Sequence, residues 1–164
     1  LARRIFTLDD VRSVKCRMDQ ASYDADRYLR PQTPGQAKFS MAYCIARVII
    51  AGRVTVDDFA GDEIHVRRSA EFAVKVNIVC DPEAFHDSRF GAEVIIELND
   101  GSVYSEKEYY GKGDPLNRMS DTEILDKLAA CLRFSRNEER LEEKLALLLS
   151  FDSVENIRTI FSAI

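Results

Sequence analysis

Apolar and polar residues alternate most regularly in the middle of the chain. Between residues 92 and 98 every second side chain is apolar, and both glutamates of the run fall on the opposite face. A second strand-like run covers residues 103–110, and the turn sequence N-D-G-S separates the two runs. Because asparagine, aspartate and glycine tolerate positive φ, this spacing predicts a β-hairpin with one packed face and one hydrated face.

Two further segments have the pattern of strands. Residues 11–18 are bounded like a short strand, although Val11 and Val14 differ in parity and cannot share one face of a regular strand. Residues 73–79 form the other segment. Together with the hairpin, they predict an α+β fold: a four-stranded antiparallel sheet with helices packed on one face, followed by C-terminal helices.

Helix signals lie between these strands. The segment 19–35 contains two prolines and a glycine and predicts a loop longer than most connections. Ser40 is a suitable N-cap for a largely apolar helix over residues 41–51, which ends at a glycine. A short helix beginning after Thr55 and a third helix over residues 64–72 are expected next.

The last part of the chain has a purely helical pattern. Ser120 begins the sequence of a capping box, and apolar residues then recur at helical spacing. Two more helices follow, over residues 138–149 and 154–164. We therefore divide the chain into an α+β domain, residues 1–117, and a set of C-terminal helices, residues 118–164.

The composition is that of an ordinary globular protein, with 46% hydrophobic and 31% charged residues. No apolar run approaches the roughly 20 residues that span a bilayer. The N-terminal sequence also lacks the apolar core and cleavage site of a signal peptide. We therefore expect a cytoplasmic protein that does not act at a membrane.

The cysteines, the histidines and the charge distribution limit the kinds of site and partner that we expect. The four cysteines and two histidines are scattered, so we expect reduced thiols and no zinc site. Residues 1–75 carry 13 Lys and Arg against 10 Asp and Glu, whereas residues 76–164 carry 10 against 18. The acidic second half argues against a nucleic-acid partner. The mildly basic first half either suits a small anionic substrate or is an ordinary hydrated surface.

Three stretches resemble the MmgE/PrpD family, which includes 2-methylcitrate dehydratase, cis-aconitate decarboxylase and iminodisuccinate epimerase. Residues 37–54, A-K-F-S-M-A-Y-C-I-A-R-V-I-I-A-G-R-V, are similar to the family's A-x-[FH]-S-x-x-Y-x-x-A helix. Residues 100–128 resemble the family's hairpin, its K-G-D-P-x-N-P loop and the next helix, with Arg118 in place of the last proline. Residues 6–16 are similar to the loop that enters the first strand.

The resemblance implies the lid and C-terminal part of a two-domain lyase. In the family, an all-helical N-terminal domain, missing from this chain, supplies most catalytic groups, and the last helices return to that domain. The implied reaction abstracts a proton next to a carboxylate of a small polycarboxylic acid, with loss of water or carbon dioxide, or with epimerisation. No metal or organic cofactor is implied, a homodimer is expected, and this chain alone should be inactive.

The same resemblance marks the candidate site residues. Tyr43 matches the tyrosine that lines the family's active site and is the candidate catalytic residue. Lys38, Ser40 and Lys112 are the candidate substrate-binding residues. Lys38 is a cation beside the N–H groups of a helix start, which together can hold a carboxylate. Ser40 can donate to a substrate oxygen, and Lys112 belongs to a loop, residues 112–114, that can close over a site. Each has a plainer alternative: a buried core tyrosine, a solvated lysine, a helix cap and a structural turn. The competing interpretation of the whole chain is a non-catalytic α+β module that binds a ligand or a partner.

Overall fold

The computed structural model describes residues 6–60, 69–135 and 139–163. The chain divides into two compact units, Leu1–Arg118 and Met119–Ile164. In the described residues, all the strands belong to the first unit, and the second unit is helical.

The first unit is built on a four-stranded sheet. Its strands are β1 (Val11–Met18), β2 (Val76–Cys80), β3 (Ala92–Leu98) and β4 (Val103–Glu108), in the order β2-β1-β3-β4. β1 pairs antiparallel with β3, and β3 with β4, but β1 and β2 are parallel. The α+β class is therefore confirmed, whereas the expected purely antiparallel sheet is wrong. The long connection between β1 and β2 returns the chain in its original direction, as a parallel pair requires.

A register shift in β1 explains the parity of its valines. Val11 pairs with Leu98 and Ser13 pairs with Glu97, so β1 advances two residues where β3 advances one. This is a β-bulge, which inserts one extra residue into a strand and changes the face of the residues beyond it. As a result, Val11 and Val14 are both buried in the same core.

The connection from β1 to β2 contains the helices α1 (Gln20–Ala25), α2 (Pro34–Ala37) and α3 (Met41–Ala51). α3 has the bounds that its sequence predicts, with Ser40 as N-cap and Gly52 in the left-handed region at φ 77°. The helix packs on one face of the sheet. The shared core consists of Val11, Val14, Cys16, Met18, Ala42, Ile45, Ala46, Phe72, Ala73, Val76, Ile96 and Leu98.

The segment 19–35, expected to be a loop, is helical in part. Asp19 accepts a hydrogen bond from the Ser22 N–H at 2.7 Å and thereby begins α1. Thr33 accepts from the Gln36 N–H at 3.3 Å and begins α2. Side-chain caps such as these stabilise short helices that have little apolar pattern of their own, so the pattern alone did not predict them.

Two short 3₁₀ helices complete the connection between β1 and β2. The helix expected after Thr55 is Val56–Phe59. Ala73–Lys75 forms the second, so β2 begins at Val76 rather than at residue 73. Most of the helix expected over residues 64–72 lies outside the described residues. Its last four residues, 69–72, are described and are helical.

A buried carboxylate ties together one end of the sheet. Asp19 directly follows β1, is 6% exposed, and accepts hydrogen bonds from the Gly91 N–H at 2.8 Å and the Ser88 hydroxyl at 3.1 Å. Burial opposes ionisation, but the hydrogen bonds from Ser22, Gly91 and Ser88 outweigh it and hold the pKa of Asp19 below its ordinary value. The carboxylate therefore fixes the start of β3 against the end of β1.

The second unit contains α4 (Asp121–Phe134), α5 (Leu141–Leu149) and α6 (Ile157–Ala163). Ser120 and Glu123 form the predicted capping box at the start of α4. The buried residues Ala129, Leu132 and Leu145 join α4 to α5, with three partly buried leucines around them. This small cluster is the core of the unit in its described part.

We predict that Gly91→Ala destabilises the chain by about 1–3 kcal/mol, because overpacking at a closed site has a cost of that order. A Cβ at Gly91 would lie 2.7 Å from the Ser88 Cβ and 2.9 Å from Phe85 Cδ1. Urea unfolding followed by circular dichroism measures the change. Gly35→Ala is the matched control, since its Cβ would meet no atom closer than 3.9 Å. Equal stability of the two variants would contradict the prediction.

Candidate functional site

The start of α3 is held by three hydrogen-bonding groups. The Ser40 hydroxyl is buried and accepts from the Tyr43 N–H at 3.2 Å. The Asp26 carboxylate, which follows α1, accepts from the Met41 N–H at 2.7 Å. The Phe39 carbonyl accepts from the backbone N–H groups of residues 27 and 28. A side chain of the protein itself thus occupies part of the N-terminal end of α3, with the charge that this end favours.

Burial near Asp26 changes the pKa of this carboxyl and of two nearby thiols. Burial raises the pKa of Asp26 itself, against the lowering effect of the hydrogen bond from Met41. Burial, together with the charge of Asp26, raises the pKa of Cys16 to about 12 and that of Cys44 to about 11. Because the thiolate is the reactive form of cysteine, both thiols are inert packing groups at neutral pH.

Tyr43 lies in the interior of the first unit. Its side chain is 0% exposed, and its hydroxyl donates a hydrogen bond to the backbone carbonyl of Asp58. The Phe59 ring packs against the Tyr43 ring with 5.8 Å between centroids. Burial raises the pKa of Tyr43, so the phenol stays protonated at neutral pH. In this structure the 3₁₀ helix Val56–Phe59 therefore covers the tyrosine.

Asp58 connects that 3₁₀ helix to α3. Its carboxylate accepts from the Arg47 Nε at 2.7 Å and from the Thr55 N–H at 2.6 Å. The Arg47 and Asp58 side chains are only 13% and 7% exposed. Burial would raise the pKa of Asp58, but the hydrogen bonds from Thr55 and Arg47 hold it below its ordinary value. The ion pair and the Tyr43 hydroxyl thus hold the same turn from two sides.

The structure places the predicted binding residues in two regions. Lys38, Ser40 and Tyr43 lie within one short stretch at the start of α3, where Lys38 is exposed and Ser40 is buried. Lys112 is exposed in the loop that follows β4. That loop is ordered by a hydrogen bond of 2.8 Å from the Gly113 N–H to the Asn117 carbonyl, with Gly113 at φ 100°. The catalytic and binding roles of all four residues stay predictions.

The sequence pattern did not reveal the polar residues that support the site. Asp58 stands three residues after Thr55, which is the spacing of a capping box, and that signal could have found it. Asp26 gives no comparable signal, because its partner Met41 is 15 residues away along the chain. The same is true of the pair formed by Arg47 and Asp58.

Two kinds of feature, a metal-binding group and a membrane-spanning helix, are absent from the described residues. In residues 6–60, 69–135 and 139–163, no three His, Cys, Asp or Glu side chains form a group that could hold a metal ion. Across the same residues, no helix has both the length and the apolar character needed to cross a bilayer.

Comparison with known protein families identifies the chain. The family described as MmgE/PrpD C-terminal domain matches residues 1–150. The chain belongs to the MmgE/PrpD family. Proteins of the MmgE/PrpD family are generally lyases of the dehydratase type. No curated protein matches the chain.

We predict that Asp58→Asn lowers the free energy of unfolding by about 3 kcal/mol at neutral pH, since it leaves Arg47, whose side chain is largely covered, without its ionic partner. The pKa of Asp58 is lowered on folding, so its contribution is complete above the unfolded value of about 4 and is lost as the pH falls through the folded value. Urea unfolding at pH 7 and pH 3 should show a smaller difference between wild type and variant at pH 3.

Asp57→Asn is the control for this measurement, because Asp57 is the exposed neighbour of Asp58 in the same 3₁₀ helix. It should leave the stability nearly unchanged at both pH values. A difference between wild type and Asp58→Asn that is the same at pH 7 and pH 3 would count against the proposed ionisation of Asp58.

Proposed function

We propose that this chain is the lid and C-terminal part of an MmgE/PrpD-type lyase that removes water or carbon dioxide from a small polycarboxylic acid, as a 2-methylcitrate dehydratase does. The observation that carries the proposal is the match of the MmgE/PrpD C-terminal domain to residues 1–150. Epimerisation by the same proton abstraction is the remaining reaction within this class.

The start of α3 is the part of the chain that best suits such a substrate. Lys38 is exposed two residues before the N-cap, and the backbone of the exposed Arg27 meets the same segment, where its N–H donates to the Phe39 carbonyl at 3.0 Å. Two cations therefore stand near a helix end that itself favours anions. A substrate with several carboxylates matches this charge, and Lys38 is the side chain that we propose to bind one of them.

The burial of Tyr43 limits how this residue can act in the reaction. Its hydroxyl is bonded to the Asp58 carbonyl, and its ring is covered by the turn that contains Phe59. A direct contact with substrate therefore requires the 3₁₀ helix Val56–Phe59 to move aside. Without that movement, Tyr43 acts as a positioning residue that keeps the first turn of α3, and with it Ser40 and Lys38, in place.

The remaining catalytic groups belong to the helical N-terminal domain under this proposal. Proton abstraction next to a carboxylate needs a general base within hydrogen-bonding reach of the carbon acid. Asp26, the carboxylate at the start of α3, already accepts from the Met41 N–H, and Asp58 is paired with Arg47. We therefore expect the chain alone to be inactive and to become active when it is completed by that domain.

We predict that Lys38→Ala lowers kcat/KM by at least about tenfold in the completed enzyme, which corresponds to about 1.4 kcal/mol of lost transition-state stabilisation. Appearance of the unsaturated product from 2-methylcitrate or citrate, followed by absorbance, gives the rates. Lys38→Arg should recover part of the loss, because it restores the positive charge. Lys15→Ala, an exposed lysine of β1, is the control, and equal losses in the two alanine variants would refute the role of Lys38.

The two roles of Tyr43 make different predictions for Tyr43→Phe in the completed enzyme. The loss of one buried hydrogen bond should lower stability by about 1 kcal/mol in either case. A catalytic hydroxyl also predicts a fall in kcat of about a hundredfold or more, as expected for a group that assists proton transfer. Steady-state rates and urea unfolding of the same preparation separate the two. An unchanged kcat would exclude the catalytic role.

A further inference from the structure

Residues 29–38 form a loop whose two ends are bonded to each other. The N–H groups of Arg27 and Tyr28 both donate to the Phe39 carbonyl, at 3.0 and 3.1 Å. Phe39 directly follows Lys38 in the sequence. The contact therefore brings the backbone of Arg27 to the backbone next to Lys38.

Asp26 adds a third hydrogen bond beside these two. Its carboxylate accepts from the Met41 N–H at 2.7 Å, and Asp26 immediately precedes Arg27. We call the three hydrogen bonds together the neck of the loop. Because the bond of Asp26 comes from its side chain, the length of that side chain helps to set how closely the two ends of the loop approach.

The loop beyond the neck is compact. The side-chain oxygen of Gln36 accepts from the Gln32 N–H at 2.7 Å, and both Pro31 and Ala37 are buried. A compact surface loop with adjoining ends is an Ω-loop, and such loops are frequently functional. The loop is thus ordered by its own contacts, and the neck joins it to the start of α3.

The charged residues of the segment 27–39 are all cations. They are Arg27, Arg30 and Lys38, and all three are exposed. The whole chain has a net charge of −5, so this segment is a basic region on an acidic chain. A surface with charges of one sign attracts ligands of the opposite sign. The ligand that this segment suits is therefore an anion.

A groove beside the neck offers room for such a ligand. It has a volume of about 360 Å³ and is lined by Tyr23, Asp26, Arg27, Leu29, Val76, Asn77 and Ile78. This volume lies within the usual range of small-ligand pockets. The Asp26 carboxylate in the groove is bonded to the first turn of α3, an end that favours negative charge, and this reduces its repulsion of an anion.

We propose that Arg27 and Lys38 bind two carboxylates of one substrate, and that Asp26 is the positioning residue that keeps these two cations together. This inference rests on the proposed function and adds two residues to it. Arg27 binds the carboxylate that lies in the groove, and Lys38 binds the one at the start of α3. A guanidinium suits the first role because it can donate two parallel hydrogen bonds to a carboxylate.

The first test compares two arginines of the basic segment in the completed enzyme. Calorimetry with tricarballylate, a tricarboxylate without the hydroxyl group that a dehydration removes, measures affinity without turnover. Arg27→Ala should weaken binding at least about tenfold. Arg30→Ala is the matched control, because it makes the same charge change beyond the neck, and it should weaken binding less than about twofold.

The second test changes the length and the charge of Asp26 separately. Asp26→Asn keeps the length and an acceptor oxygen, so it should bind tricarballylate as tightly as the wild type or more tightly, since a negative charge is removed. Asp26→Glu keeps the charge but is longer by one methylene, and it should weaken binding at least about fivefold. A role through charge predicts the reverse order. Asp24→Glu is the control, because the Asp24 carboxylate bonds to Gln20 within α1.

A double-mutant cycle shows whether Asp26 acts through the cations. In the Arg27→Ala background, Asp26→Glu should cause little further loss of affinity, because the pair that Asp26 positions is already broken. A purely structural role predicts the same loss in both backgrounds. Arg27 is exposed, so the comparison of the arginine variants does not depend on how well the Asp26 variants fold.

Three results would overturn the inference. One is a wild-type enzyme that does not bind tricarballylate. Another is equal weakening by Arg27→Ala and Arg30→Ala, which would leave only a general attraction between charges. The third is an Asp26→Glu variant that binds as tightly as Asp26→Asn, or that loses as much affinity without Arg27 as with it. A wild type that binds tricarballylate but does not convert 2-methylcitrate or citrate would instead refute the proposed lyase function.

Discussion

The parallel pairing of β1 with β2 is the constraint on which the first unit depends. Parallel neighbours require a connection that leaves the end of one strand and returns to the beginning of the next. In this chain the connection contains α1, α2 and α3, and the apolar face of α3 covers the sheet. In the described residues, β2 is the outermost strand on that side of the sheet. The position of the candidate site and the place of β2 in the strand order therefore both follow from this crossover connection.

The start of α3 is stabilised mostly by contacts between residues distant in sequence. Asp26 binds the first N–H of the helix, and Asp58 accepts from Tyr43 through its carbonyl and from Arg47 through its carboxylate. Buried polar groups that are fully paired define one arrangement sharply, because any alternative leaves a donor or an acceptor without a partner. The backbone at the start of α3 is thus held in one arrangement, and Lys38 is exposed beside it.

Local signals in the sequence predicted the elements whose causes are local. The cap Ser40, the glycine after Ala51 and the capping box at Ser120 lie within or next to the helices that they delimit, and α3 and the start of α4 were predicted correctly. The N-D-G-S turn fixed the antiparallel hairpin for the same reason. The orientation of β2 was missed because strand direction depends on the whole crossover, and not on the pattern of residues 76–80.

In the candidate site too, local features could be predicted from the sequence and long-range contacts could not. The residues near α3 could be selected by their resemblance to a family motif, but their surroundings could not. The burial of Tyr43 depends on a turn that is 15 residues away along the chain. The bulge in β1 is an intermediate case: the mismatch in parity between Val11 and Val14 was visible in the sequence, and the structure shows that one extra residue resolves it.

The state of the cysteines has a practical consequence for spectroscopy. Cys16 and Cys44 are held as neutral thiols by their surroundings, Cys80 is partly buried beside Gln20, and Cys131 is exposed on α4. Maleimide reagents react with accessible thiolates, so a brief treatment at neutral pH should attach a fluorophore to Cys131 first. Cys131 is thus the preferred labelling site and lies in the second unit, so the sheet and α3 stay free of label.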